Sequence, residues 1–208
     1  MRTREYAGEP FAAPRSHPWV GAAADASSRY YDFTASPEQI RNSLEDFVPW
    51  GRYAAVEAFY VLLERLNHGK SVLESNDCAF TGPHPSESTT QKALECSGRV
   101  MVLFRDLARN TAAGQIEALK NELHLALIKV DPNFRSGVIG TTIVPVRYLA
   151  LPESSDEQLG AQLMISFWAW GDSELENMQN LSRLLRNLTQ ALRKLCAPPA
   201  AQSDLLTF

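Results

Sequence analysis

Cysteine is scarce in this chain of 208 residues, and the three present, Cys78, Cys96 and Cys196, are an odd number at wide spacing. A secreted disulfide framework needs paired cysteines, so this usage argues against one and fits a reducing cytoplasm. No run of about 18 apolar residues occurs, and none of the sequence therefore reads as a transmembrane helix. Near the N-terminus, Glu5, Glu9, Pro10, Pro14, Arg15 and Pro18 interrupt any apolar stretch behind Arg2 and Arg4, unlike a signal peptide. An excess of one charge is also lacking: 24 acidic and 20 basic side chains leave a net charge of −4. That balance exerts no long-range pull toward phosphate backbones or anionic lipid, which argues against nucleic-acid and membrane partners.

Catalytic and metal-binding signatures are missing as well. No C-x-x-C or H-E-x-x-H pair fixes two ligands on one turn, so no metal or other cofactor is expected. His68-Gly69-Lys70-Ser71 imitates the end of a phosphate-binding loop, but Glu64 stands where that motif requires glycine. The tetrapeptide also follows a helical pattern rather than a strand, so it reads as a helix ending. Asp77, Cys78 and His84 lie close enough in sequence to form a nucleophile, base and orienter if the chain folds back. No local signature surrounds Cys78, and no G-x-S-x-G elbow offers a serine instead, so no catalytic residue is assigned.

What remains is an ordinary globular chain, 45% apolar, able to build its own core. Residues 1–32 have no periodicity and read as a mobile tail, and 198–208 as a second; 33–197 form one globular domain. Ser36, Pro37 and Gln39 predict a helix start, with an apolar face through Ile40, Leu44 and Phe47 that ends before Pro49. A second helix is predicted over 51–67, stopped by a left-handed cap at Gly69. Ser88 and Gln91 open a short third helix that Gly98 closes. The stretch 115–130 fits a helix, although Leu123, Leu125 and Leu127 also alternate like a strand.

Strands are predicted near 99–107, 138–150 and 160–170, with a possible fourth over 123–130. Pro145 places the second of these at a sheet edge or bulge. The last helix is the clearest, with a Ser173–Glu176 capping box and leucines stepping by three and four from Leu181 to Leu195. These elements make an α+β fold: a small, largely antiparallel sheet packed by two N-terminal helices and one long C-terminal helix.

Three features are candidates for function. Residues 69–87 are rich in turn formers and read as a long loop, a place where recognition residues concentrate. Within it Glu74, Asp77 and His84 supply polar contacts. Trp168 and Trp170 share one face of the last strand, and tryptophan anchors interfaces. Arg183, Arg186, Arg193 and Lys194 form a basic stripe on the last helix, read as long stems covering the core edge. The function expected is a non-catalytic intracellular protein-binding module, an adaptor, regulator or immunity-type neutraliser of another protein. It would bind through Glu74, Asp77, His84, Trp168 and Trp170. The alternative is an enzyme or small-molecule binder with a pocket under the 69–87 loop.

Overall fold

A computed structural model of the chain describes residues 1–5, 15–18, 31–42, 45–87, 91–112, 114–151 and 159–198. Ser88 and the far C-terminal tail lie outside these residues.

The elements run β1 (Arg2–Glu5), β2 (Arg15–His17), α1 (Gln39–Asn42), a 3-10 turn (Glu45–Trp50), α2 (Ala54–Asn67), β3 (Leu73–Pro85), β4 (Leu94–Phe104), α3 (Leu107–Thr111), α4 (Gln115–Val130), β5 (Gly137–Tyr148), β6 (Leu159–Gly171) and α5 (Glu174–Leu195). One sheet has the order β1–β5–β6–β4–β3, with β2 beside β1 on the same edge of β5. Pairs among β3, β4, β6 and β5 are antiparallel, and β1 and β2 run parallel to β5. The α+β class, the largely antiparallel sheet and the long C-terminal helix are as the sequence predicts. Among the described residues no helix is long and apolar enough to cross a membrane.

Several predicted elements change. The 69–87 loop is instead the 13-residue strand β3, whose register slips twice, between Ser75 and Asp77 and between Thr81 and His84. Each slip breaks the two-residue alternation that marks a strand, and the prolines stand on an edge strand, where no ladder partner is lost. The helix expected up to Gly98 is the first half of β4, held by β3 on one side and β6 on the other. Pairing on both sides outweighs local helical preference there. Residues 123–130 are helical, within α4.

The first helix is shorter than its pattern, covering Gln39–Asn42, and Pro49 lies inside the 3-10 turn. At its approach the Asp32 carboxylate accepts the Thr34 and Ala35 backbone N–H groups. The α2 helix ends at His68 in extended backbone, without a left-handed glycine. Residues 2–5 and 15–17, expected in the tail, are strands. Pro145 is internal: it lies between the stretches of β5 that pair with β1 and with β2, opposite Ala161 of β6.

Helices α1, α2, α4 and α5 cover one face of the sheet, and the short α3 packs through Leu107 on the other. Leu163, Ile165 and Phe167 of β6 meet Val100 and Val102 of β4, with Leu181, Leu185 and Leu188 of α5 and Phe59, Leu62 and Leu66 of α2, in one buried core. Gly98 admits the Phe167 ring, which leads into the stacked Phe59, Phe47 and Phe80 rings.

The sheet is strongly curled. The edge strand β2 stands four strand steps from β3, which in a flat sheet would separate them by about 19 Å. Yet Arg15 of β2 touches Asp77 of β3 at 2.7 Å, and His17 touches Asn76 at 2.8 Å. Only a sheet rolled toward the face opposite α2 and α5 brings these edges within reach of each other's side chains.

Candidate functional site

The five residues expected to bind a partner all fall on the inner face of the curl, opposite α2 and α5. Asp77 is paired with Met101, and Glu74 with Leu103, on the face that also carries Met164 and Trp168 of β6. His84 stands opposite Glu95, and Glu95 opposite Trp170. Sequence reading treats the loop and the tryptophan strand as separate sites, and the sheet joins them.

Most of these polar groups are spent on closing the curl. The Asp77 carboxylate is shared by Arg15 at 2.7 Å and Arg99 at 3.3 Å. The buried His17 ring holds Glu74 at 3.2 Å through Nε2 and Asn76 Oδ1 at 2.8 Å through Nδ1. Asn76 is the extra residue at the first slip of β3, and the bulge turns its side chain inward. There its amide donates to Gln162 Oε1 at 3.0 Å and to the Ser16 carbonyl at 3.4 Å. The slip has a local cause: the Ser75 N–H donates to Asn67 at the end of α2.

Both ring nitrogens of His17 therefore face acceptors. Burial opposes the charged ring, but the hydrogen bonds to Glu74 and Asn76, with the charges of Glu74 and Asp32, outweigh it and raise the His17 pKa.

The rest of the inner face is filled. Met101, Val144 and Met164 form a buried cluster at its centre, and Leu103, Val146 and Tyr148 form a second against Leu107 and Leu151. Thr142 Oγ1 and Gln162 Nε2, both buried on this face, meet no hydrogen-bond partner among the described residues. At the rim Trp170 Nε1 donates to Glu95 at 2.7 Å, and His84 Nδ1 lies 2.9 Å from the Gly82 carbonyl oxygen. Trp168, Trp170 and His84 are half-buried.

The nucleophile constellation does not assemble. Asp77 and Cys78 are consecutive on a strand and point to opposite faces, with Cys78 packed against the helical core. Burial pushes the Cys96 thiol up to about 12 and raises that of Cys196, so neither is a ready thiolate. No cluster of metal-ligating side chains occurs among the described residues. The His68–Ser71 segment is a turn closed by the Ser71 N–H on the His68 carbonyl at 2.7 Å, in agreement with the helix-ending reading.

An open concavity lies on the other side of the molecule, between α2 and α5. One part, about 530 Å³, is bordered by Tyr53, Leu175 and Arg186; another, about 340 Å³, by Val61, Arg65 and Arg193. Ala54 and Arg186 border both, so the two hollows adjoin along the α2–α5 groove. Of the basic stripe, Arg183 matches its reading as an edge cover, since it pairs with Asp131 at 2.7 Å and lies over the Phe134 ring. Arg186 and Arg193 instead stand exposed along the groove. Arg65 and Arg52 of the same groove drew no attention in the sequence, because only packing brings α2 beside α5. Comparison with protein-family models, with curated proteins and with solved structures finds no match to this chain.

Proposed function

We propose that this chain is a non-catalytic, cytoplasmic protein-binding module, an adaptor, regulator or neutraliser of another protein, and that its partner seats in the α2–α5 groove. The observation that carries the reading is the groove itself: two adjoining exposed hollows, one of them floored by small and aliphatic residues. Interfaces take such floors as their desolvated centre and a polar margin as their rim. The sheet face first expected to bind is less available, because Met101, Val144 and Gln162 on it are at most 1% exposed and its charged pairs hold the edges together. Trp168 and Trp170 serve this reading as rim residues outside the main contact.

A second reading, a small-molecule binder, draws on the two buried polar atoms of Thr142 and Gln162 on the inner face. Affinity capture of the full chain from its native host, followed by mass spectrometry of proteins and metabolites, separates the two. The expected result is a stoichiometric protein that is lost with Ala54→Arg, which fills the groove without touching the sheet. A retained metabolite with no protein would overturn the module reading.

A further inference from the structure

We infer that the occupant of the α2–α5 groove is an acidic amphipathic helix of a partner protein; the inference rests on the module reading above. The groove has the shape of a helix seat. Arg52 just before α2 meets Glu174 at the start of α5, while Arg65 and Arg193 share the other end, so the two helices run in the same direction. From Ala54 to Arg65 is about 16 Å at 1.5 Å per residue, roughly three helical turns. Its floor, Ala54, Ala58 and Val61, is small and aliphatic, and Val61 is 41% exposed. A third helix can lower a ridge of apolar residues into such a hollow, anchoring at i, i+3, i+4 and i+7.

Charge selects the sign of that helix. Arg65, Arg186 and Arg193 line the groove, and none has an acidic partner among the described residues. The carboxylates nearby are already committed: Glu57 to Arg41 through two hydrogen bonds, and Glu174 to Arg52 and the Tyr53 hydroxyl. A local cluster of three unopposed guanidinium groups in a chain of net charge −4 calls for carboxylates flanking the incoming helix. Single-stranded nucleic acid is the poorer occupant. Its bases need open aromatic faces, and the one ring bordering the groove, Tyr53, has Arg52 stacked over it at 4.9 Å.

The test is selection of a displayed library of helical peptides on the wild-type protein, with counter-selection on an Arg186→Glu/Arg193→Glu double variant. Both residues are exposed and make no described ion pair, so an unchanged thermal transition is expected to confirm that the variant folds. Peptides recovered on the wild type should carry Asp and Glu beside an apolar i, i+3, i+4, i+7 stripe. The double variant should bind them at least about tenfold more weakly, and their affinity should fall with added salt. Recovered peptides with no acidic excess, or equal affinity for the double variant, would overturn the inference. So would arginine-dependent binding of a random 20-nucleotide single strand with no peptide recovered. Native capture of a protein that Ala54→Arg abolishes but the double charge reversal leaves bound would keep the module reading and discard the acidic helix alone.

Discussion

A methyl group added at Gly98 would lie 2.4 Å from the Phe167 ring and 2.6 Å from the Ala79 carbonyl oxygen. The ring cannot retreat freely, because it packs on Phe59, and the carbonyl belongs to the neighbouring strand. Gly98→Ala should therefore destabilise the fold by about 1–3 kcal/mol, the cost of overfilling a packed site. Gly69→Ala is the control, since nothing lies within 4 Å of its added carbon. Its effect should stay within about 0.5 kcal/mol in urea unfolding. Equal effects at the two positions would show that the ring is not seated on Gly98. In sequence the same glycine reads as a helix stop. A strand glycine and a terminal glycine look alike until the residue that covers it is known, and Phe167 is distant in the chain.

The elements legible in sequence are those whose evidence is local. In α5 the Ser173 side chain accepts the Glu176 N–H, as the capping box predicts, and the leucine seam is buried inside this single chain. Leu188→Ala should cost about 2–5 kcal/mol by emptying a fully buried leucine site, whereas exposed Arg186→Ala should change stability by less than about 0.5 kcal/mol. Thermal unfolding of both variants checks this, and a small loss at Leu188 would place the seam in a contact with another molecule. Strands β5 and β6 were legible for the same reason, being long and rich in β-branched or aromatic residues. β3 was not: only Leu73, Asn76 and Phe80 along it are buried, at spacings of three and four, with the register slip at Asn76 breaking the two-residue period. β2 was less legible still, because three residues in a proline-rich segment carry no period. Its place is set by its ladder with β5 and by Asp77, Glu74 and Asn76, all distant in the chain.

At the scale of the whole molecule, the curl is closed by side chains rather than by a backbone ladder between β2 and β3, and this makes its closure depend on pH. Among the described residues, the groups facing His17 include Glu74 and Asn76 from β3, Asp32 from the segment before α1, and the Tyr148 ring from β5. Burial raises the Tyr148 pKa, so its ring contributes no charge near neutrality. The Asp32 carboxyl is held below its ordinary value, because hydrogen bonds from Thr34 and Ala35 outweigh the effect of burial. His17 is thus the group in this seam whose charge changes in the mild range. Its pKa is raised on folding, so the folded state binds the proton more tightly than the unfolded state. The stabilisation is fully present below its unfolded value of about 6.5 and is lost as pH rises through the higher folded value. Urea unfolding of the wild type and His17→Gln between pH 5.5 and 8.5 should show a stability gap that is widest at pH 5.5 and shrinks upward. Deprotonation at high pH leaves the ring one donor for two acceptors, so the Glu74 or Asn76 contact weakens while the Arg15–Asp77–Arg99 bridge persists. The same series with Asp77→Asn should show a loss nearly constant across this range, since neither of its guanidinium partners titrates there. A gap for His17→Gln that widens with rising pH would mean that folding favours the neutral ring and lowers its pKa, so that the β2–β3 seam does not rest on a charged His17.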